Sequence, residues 1–221
     1  MLTLEDLGIG GLKIYQDDKL YRFTSDAVRL SEFAKVKRGD EVADLCSGSG
    51  IVGLHLYALN KEAIKSVTFF EMQTPLYELS LKTIEYNGLE KKFSAVNKRL
   101  QDIDKNFYGK FSLVVCNPPY MRADSGEHDA DPSVAACKRE IYLSLEELVF
   151  AASRVLKFGG RACIVHRADR LVDLFCAMRR YNLEPKRLQL VCAAEKEPYL
   201  FMTEGVKGGK SGLKILKNIN N

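Results

Sequence analysis

Several features that would place the chain in a broad class of proteins are missing from its 221 residues. The apolar runs are short, such as residues 113–116, so the sequence predicts no membrane-spanning segment. The N-terminal sequence MLTLEDLGIGG has neither a basic region nor a long apolar run, so we expect no signal peptide. The six cysteines form no CxxC pair and no Cys/His cluster, which predicts reduced thiols and no metal site. We therefore expect a cytoplasmic protein without a metal or a membrane partner.

The composition and the length of the chain predict one globular domain. Hydrophobic residues make up 46% of the chain and charged residues 28%, which is typical of a folded protein rather than a disordered one. The length suits a single domain with a sizeable core. We divide it into an N-terminal hairpin and helix (residues 1–40), a central core (residues 41–204) and a flexible basic tail (residues 205–221).

Strand-like and helical patterns alternate along the central core. Ser144 and Glu147 form a capping box at the start of an apolar helical stripe. This alternation predicts a Rossmann-like α/β fold, with a doubly wound, mostly parallel sheet of about seven strands and helices on both faces. A hairpin within residues 9–23 and a helix over about residues 26–35 precede the core, and residues 121–139 form a long polar connection typical of a binding loop. The predicted strands are residues 41–45, 66–71, 93–97, 113–116, 161–166 and 186–191.

A glycine-rich loop follows the first predicted core strand, with the sequence Asp44-Leu45-Cys46-Ser47-Gly48-Ser49-Gly50. Glycines at these places permit a tight turn and a close approach of a ligand to the backbone. With Gly53 the loop also matches GxGxxG, the dinucleotide pattern, which is weak evidence alone. Asp44 beside a pyrophosphate would cost on the order of 1 kcal/mol or more, whereas it would attract the sulfonium and ammonium groups of S-adenosylmethionine. The loop therefore favours S-adenosylmethionine.

Three further residues at the ends of strands suit the same ligand. Glu71 ends the second core strand, where an acid can accept hydrogen bonds from both ribose hydroxyls. Met72 can lie against the adenine ring, and Asp102 can accept a hydrogen bond from the adenine amino group. Glu71 or Asp102 taken alone is equally typical of a helix cap or a solvated loop acid, so the argument depends on their order after the glycine loop.

The fourth core strand leads directly into Asn117-Pro118-Pro119-Tyr120. The two prolines end sheet pairing and fix the backbone, so Asn117 and Tyr120 are held at the carboxyl edge of the sheet. The Asn117 side-chain oxygen and the Pro118 carbonyl can accept both N–H bonds of a planar amine. Tyr120 can stack on the ring of an unstacked base. These four residues predict a transfer site for a base or amide amine.

Together, DLCSGSG and CNPPY resemble the class I S-adenosylmethionine-dependent amino-methyltransferases. The resemblance is narrowed to the small bacterial tRNA adenine-N6-methyltransferases, which modify the adenosine 3′ of the anticodon of a valine tRNA, by the entry segment IYQ and LYRFTSDAVRLSEF and by AACKREI, VHRADRLVDLF, LEPKRLQLV and GVKGGKSGLKIL. The resemblance implies catalytic residues at Asn117, Pro118, Pro119 and Tyr120. It implies donor-binding residues at Phe23, Thr24, Ser25, Asp44, Ser47, Gly48, Ser49, Gly50, Glu71, Met72, Asp102 and Asn117.

Positive charge is clustered on a chain whose net charge is only +4. Residues 205–221 hold four lysines and no acid, and residues 166–190 hold six basic and three acidic residues. Such clusters are typical of a polyanionic partner, although a solvated face is the simpler interpretation of charge alone. With tRNA as the partner, the expected phosphate contacts are Arg122, Lys138, Arg139, Arg167, Arg170, Lys186, Arg187, Lys207, Lys210 and Lys214.

Three other functions stay open at this stage. A glutamine methyltransferase acting on a protein such as a release factor would use the same amine geometry. An NAD-dependent oxidoreductase would use the GxGxxG match, but His55, His128 and His166 occupy no position suited to hydride transfer. A non-catalytic RNA-binding protein would have no use for the amine site. We expect a monomer or a weak homodimer.

Overall fold

A computed structural model describes residues 1–20, 22–120, 143–193 and 196–220 of the chain. Three residues predicted to contact RNA, namely Arg122, Lys138 and Arg139, lie outside the described residues, as does the polar connection at 121–139. No helix among the described residues is long and apolar enough to cross a membrane.

A nine-stranded sheet forms the centre of the fold. Its strand order is β10-β8-β9-β7-β6-β3-β4-β5, and β11 also pairs with β8. All pairings from β7 to β5 are parallel, whereas β9 runs antiparallel to both β7 and β8. The predicted Rossmann-like, mostly parallel sheet is therefore confirmed, with seven long strands and two short ones. The strands are β1 (Leu2–Asp6), β2 (Lys13–Asp17), β3 (Asp40–Leu45), β4 (Ile64–Glu71), β5 (Phe93–Asn97), β6 (Phe111–Cys116), β7 (Leu156–Arg167), β8 (Leu183–Cys192), β9 (Pro198–Lys207), β10 (Lys214–Ile215) and β11 (Ile219–Asn220).

Helices cover both faces of the sheet, because its central strands are apolar on both sides. Every residue of β6 is buried, as expected for a strand between two helical layers. On one face, a cluster that includes Ile14, Leu30 and Leu54 packs on the sheet, and on the other face a cluster that includes Leu148 and Leu174 does so. The helices are α1 (Ser25–Phe33), α2 (Ile51–Leu59), α3 (Thr74–Tyr86), α4 (Leu145–Val155) and α5 (Leu171–Arg180).

The N-terminal hairpin differs from the predicted one. It pairs β1 with β2 in antiparallel register, so the strand opposite residues 13–17 precedes them instead of following them in LYRF. The sequence prediction failed because Asp17-Asp18-Lys19 has turn composition, whereas the turn that joins β1 and β2 contains Gly8, Gly10 and Gly11 at positive φ. The capping box of Ser144 and Glu147 is present at the start of α4.

The C-terminal segment is not the flexible tail that we predicted. Residues 205–207 complete β9, and β10 and β11 pair with β8. Gly205 packs closely against α5, since a side chain at this position would overlap Met178. The glycines and lysines of the segment are therefore compatible with sheet structure. The strand β9 was not predicted because its second half, TEGVK, is polar and contains a glycine.

Candidate active site

A cavity opens where the carboxyl ends of β3, β4 and β6 meet. Its volume is about 860 Å³, counting the space at its open mouth. This is the edge at which parallel α/β sheets bind ligands. The glycine loop, the end of β4 and the start of the Asn-Pro-Pro-Tyr sequence all contribute to the wall. The lining residues are Phe23, Cys46, Ser47, Gly48, Ser49, Ile51, Val52, Phe70, Glu71, Met72, Gln73, Lys98, Leu100, Gln101, Asn117, Pro119 and Leu143.

The two glycines of the loop after β3 serve different purposes. Both have positive φ, +56° at Gly48 and +93° at Gly50, which is the region that glycine adopts most easily. A Cβ on Gly50 would lie 2.7 Å from Cε2 of Phe69, so this residue packs directly on β4. A Cβ on Gly48 would meet nothing within 4 Å, and Gly48 lines the cavity. Gly50 is thus required by packing, whereas Gly48 leaves room for a ligand.

Two buried carboxyl groups lie beneath this loop. Asp44 Oδ2 accepts a hydrogen bond of 2.8 Å from the Gly53 amide, and Glu71 Oε2 accepts one of 2.8 Å from the Gly48 amide. The pKa of Asp44 is raised to about 8, mainly by burial; the hydrogen bond from the Gly53 amide opposes this shift and the nearby charge of Glu71 adds to it. Burial also raises the pKa of Glu71, against the lowering effect of backbone amides at Gln73 and Gly48.

The polar atoms of the loop fit S-adenosylmethionine. Asp44 Oδ1 and Ser47 Oγ are buried and have no hydrogen-bond partner among the described residues. Unpartnered buried polar atoms are uncommon in folded proteins and often mark where a ligand supplies the missing partner. A cationic group close to the buried Asp44 would favour the charged form of this carboxyl group, whereas a pyrophosphate there would disfavour it. The described residues include no cluster of His, Cys, Asp and Glu side chains that could hold a metal ion.

The raised pKa of Asp44 predicts a pH-dependent stability of the protein without ligand. Between about pH 4 and pH 8 the folded protein keeps a proton on Asp44 that the unfolded chain has lost, so stability falls as the pH rises. We expect the free energy of unfolding of the wild type to fall, relative to Asp44→Asn, by up to about 1.4 kcal/mol per pH unit in that range. Urea unfolding at pH 5, 6, 7 and 8 measures the difference, and parallel pH profiles of the two proteins would contradict the prediction.

The second part of the site begins where β6 ends. Asn117 and Pro119 line the cavity, while Pro118 and Tyr120 do not. The Tyr120 hydroxyl donates a hydrogen bond to Asn117 Oδ1, and one lone pair of that oxygen stays available because an amide oxygen has two. The Tyr120 ring also packs edge-on against His166, with 5.6 Å between ring centroids. Burial lowers the pKa of His166 to about 4, so this ring is neutral at physiological pH.

Several residues that we predicted to bind the donor do not line the cavity. Thr24 and Ser25 are exposed at the start of α1, and Thr24 Oγ1 donates a hydrogen bond to Asp26. Asp102 is exposed at the end of a short 3-10 turn, and Leu100 and Gln101 of the same turn line the cavity in its place. Phe23, Ser47, Gly48, Ser49, Glu71, Met72 and Asn117 do line the cavity, whereas Asp44 and Gly50 support the loop from below.

Three of the predicted RNA contacts also have partners within the protein. Arg187 forms a partly buried ion pair of 3.0 Å with Glu204 and lies over the Phe33 ring. Arg170 is buried and forms an ion pair of 2.8 Å with Asp173. Lys207 Nζ donates hydrogen bonds to the carbonyls of Ser153 and Leu156, at 2.6 and 2.8 Å.

The other described candidates are accessible. Lys210 and Lys214 are exposed, and Arg167 is exposed with an ion pair of 3.1 Å to Asp169. Lys186 is partly buried, and its Nζ donates a hydrogen bond of 3.0 Å to the Lys210 carbonyl. Among the predicted RNA contacts that the structure describes, the exposed lysines are therefore Lys210 and Lys214, in the segment between β9 and β11.

Comparisons with known proteins agree with this geometry. The sequence profile of the methyltransferase small domain family matches residues 25–173. A tRNA1(Val) (adenine(37)-N6)-methyltransferase from a Flavobacteriaceae bacterium is 27% identical over 212 residues, covering 86% of this chain and 87% of the relative. A release factor glutamine methyltransferase from Clostridium botulinum is 30% identical over 161 residues, covering 69% of this chain, and the chain spans only 56% of that relative's length.

A solved structure is also similar. The structure of TYW2 from Pyrococcus horikoshii in complex with MeSAdo has a TM-score of 0.66 and 15% sequence identity, and the similarity covers 94% of this chain and 72% of that one. At this identity the likeness concerns the fold.

Proposed function

The chain belongs to the methyltransferase small domain family, whose members depend on S-adenosylmethionine, and we propose that it methylates the N6 amine of an adenosine in a tRNA. The observation that carries the proposal is the position of Asn117, which lines the donor cavity directly after β6 and is followed by the rigid Pro118-Pro119 pair. The tRNA1(Val) adenine-37 methyltransferase that is similar over 86% of the chain supports position 37 of a valine tRNA as the target. The family assignment also argues against the oxidoreductase alternative.

The proposed role of Asn117 is to orient the amine. S-adenosylmethionine supplies a methyl group made electrophilic by its sulfonium. The remaining lone pair on Asn117 Oδ1 and the Pro118 carbonyl would accept the two N–H bonds of the amine, which turns the nitrogen lone pair toward the donor. Transfer would form a nitrogen–carbon bond as the donor's carbon–sulfur bond breaks, and the methylated amine would then lose a proton to water. No general base is needed beforehand, so most of the rate would come from positioning.

The packing around the Asn117 side chain supports this role. The hydroxyl of Tyr120 holds the Asn117 side chain, and the ring of Tyr120 is in turn packed on the neutral His166. An amide held by a hydrogen bond loses less rotational freedom when the substrate binds, which favours transfer. Phe23, which lies just before α1, lines the cavity with its aromatic ring.

A protein glutamine amide is the second candidate substrate, because the C. botulinum relative is a release factor glutamine methyltransferase. An amide NH₂ fits the same pair of acceptors as an adenine N6 amine. The match covers only 56% of that relative's length. The Flavobacteriaceae relative is matched over 87% of its length, which favours tRNA.

One experiment distinguishes the two substrates. Purified protein is incubated with methyl-labelled S-adenosylmethionine and either bulk bacterial tRNA lacking the modification or a bacterial release factor. The tRNA is then digested to nucleosides and the release factor to amino acids. We expect label in N6-methyladenosine. Label only in methylglutamine would replace tRNA by a protein substrate, and label in neither would contradict both.

The exposed lysines of the C-terminal segment predict how tRNA affinity changes with charge. Replacing Lys210 and Lys214 by alanine is expected to weaken tRNA binding and to lower the slope of log affinity against log salt by about 1.5, because each phosphate contact contributes about 0.7–0.9. Affinity for S-adenosylmethionine should stay unchanged. Lys207 is left intact, since its Nζ caps backbone carbonyls.

The matched control neutralises Lys91 and Lys92, which are exposed at the opposite end of the sheet, before β5. It changes the net charge equally and should leave the salt slope as in the wild type. Equal losses of tRNA affinity in the two double variants would mean that net charge, and not this segment, determines binding. Filter binding at several salt concentrations gives both slopes.

A further inference from the structure

A buried glutamine from the N-terminal hairpin touches the glycine loop. The Gln16 side chain is 1% exposed, and its Nε2 lies 2.6 Å from Ser49 Oγ. Ser49 lines the cavity, whereas Gln16 stands behind it. Nothing in the sequence pattern of the glycine loop indicated this contact, because the two residues are 33 positions apart.

The hydrogen bonds fix which way the Ser49 hydroxyl points. Gln16 Nε2 also lies 3.1 Å from the Tyr15 carbonyl oxygen, which can only accept a hydrogen bond, so the NH₂ group of the amide must face both partners. The amide therefore donates to Ser49 Oγ, and the hydroxyl proton of Ser49 is directed to another acceptor. No acceptor for that proton is present among the described residues. The hydroxyl is thus held as a donor on the cavity wall.

A second hydroxyl and a helix end lie beside this donor. Ser47 also lines the cavity, and its buried Oγ has no partner among the described residues. Helix α2 begins at Ile51, so the partial positive charge of its N-terminus lies at the same loop. Two hydroxyl donors next to a helix N-terminus form a site for an anionic group. In S-adenosylmethionine the only anionic group is the carboxylate of the methionine part.

The hairpin that carries Gln16 is fixed on the protein. The Lys13 amide donates to Asn87 Oδ1 at 3.0 Å, and the Tyr15 amide donates to Thr83 Oγ1 at 3.1 Å, which ties β2 to α3. Within β2 the buried positions alternate, so Gln16 faces inward together with Ile14. The side chain is therefore presented to Ser49 by a rigid strand.

We propose that Gln16 is a positioning residue of the donor site, which holds the Ser49 hydroxyl as a donor to the carboxylate of the bound S-adenosyl compound. The proposal rests on the cavity being the donor site and does not depend on the tRNA substrate. It assigns to the N-terminal hairpin a part in recognising the amino-acid end of the donor.

Two ligands that differ in that end test the proposal. S-adenosylhomocysteine carries the carboxylate and the ammonium, whereas 5′-methylthioadenosine has neither. Calorimetric titrations use the full chain as wild type, Gln16→Leu, Gln16→Glu and Ser49→Ala. Gln16→Leu should weaken S-adenosylhomocysteine about tenfold, as expected for one hydrogen bond to a charged group, and leave 5′-methylthioadenosine within twofold. Gln16→Glu should weaken it at least as much, because a carboxylate would accept the Ser49 proton.

The double variant Gln16→Leu/Ser49→Ala should lose no more affinity than Ser49→Ala alone, since both changes remove the same donor. Gln189→Leu, which removes a hydrogen bond from Gln189 to the Lys217 carbonyl at the far edge of the sheet, is the control and should leave both affinities unchanged. Equal weakening of both ligands by the Gln16 variants would overturn the proposal in favour of a structural role, and so would unchanged affinities. A wild type that binds neither ligand would overturn the donor site itself.

Discussion

Replacing Asn117 by alanine is expected to reduce methyl transfer by about a hundredfold to a thousandfold, the usual cost of removing one preorganised polar group from a reacting centre. The affinity for S-adenosylmethionine should change by less than about threefold, because the cavity keeps its glycine loop and Glu71. The expected loss of transfer has a geometric cause. Without Asn117 Oδ1 the substrate amine has one hydrogen-bond acceptor instead of two, so its lone pair is no longer fixed toward the methyl group.

Single-turnover transfer and calorimetry measure the two quantities separately. Asn106→Ala is the control, since Asn106 is an exposed asparagine in a 3-10 turn outside the cavity lining. It should leave both values unchanged. Transfer by Asn117→Ala at more than a tenth of the wild-type rate would show that the amine is oriented by other groups.

Alanine at Gly50 is expected to act mainly on stability, whereas alanine at Gly48 is expected to act mainly on ligand affinity. Both residues have positive φ, so each substitution costs about 1–2 kcal/mol in backbone strain. At Gly50 the new Cβ would also lie 2.7 Å from the Phe69 ring, and overpacking of this kind costs about 1–3 kcal/mol more. At Gly48 the new methyl group meets no protein atom within 4 Å and projects where the cavity is open.

Gly50→Ala should therefore lower the free energy of unfolding by about 2–5 kcal/mol, the sum of strain and overpacking. Gly48→Ala should lower it by only about 1–2 kcal/mol, the strain alone, while affinity for S-adenosylhomocysteine falls more than tenfold. Urea unfolding and calorimetry on both variants provide the comparison. Equal stability losses would show that Phe69 moves away readily, and normal affinity in Gly48→Ala would place the ligand elsewhere in the cavity.

The core strands were predictable because their burial is encoded locally. Residues 93–97 were predicted as a strand with the observed bounds, and β3, β4 and β6 were predicted to within two residues of theirs. In β6 every residue is buried and nearly all are apolar, so its prediction needs no knowledge of its neighbours, whereas β5 is an edge strand in which only Phe93 is buried. The order of Asp44, Gly48 and Glu71 likewise predicts one site, since carboxyl ends of parallel strands share an edge of the sheet.

Residues whose role depends on a distant partner were not predictable. Arg187 has the appearance of a phosphate contact in the sequence, but its partner Glu204 is brought beside it by the antiparallel pairing of β8 with β9. The contact of Gln16 with Ser49 depends on a hairpin whose strand pairing was itself predicted wrongly. In both cases the missing information is the arrangement of strands in space, which single-sequence patterns do not contain.

The position of β9 between β7 and β8 has a consequence for how the protein is made. On the ribosome β8 is synthesised before β9, β10 and β11, the strands with which it pairs in the described sheet. A growing chain that has emerged as far as Leu143 already contains every residue that lines the cavity, yet β6 is then an open edge, because β7 begins at Leu156. We therefore expect the edge of β6 to stay unpaired until β7 has joined, and β8 to stay undocked until the chain has passed Lys207. A messenger truncated after the codon for Leu143 and before the codon for Lys207 would yield a chain that contains all of the described cavity residues but has an unpaired strand at the edge of its sheet.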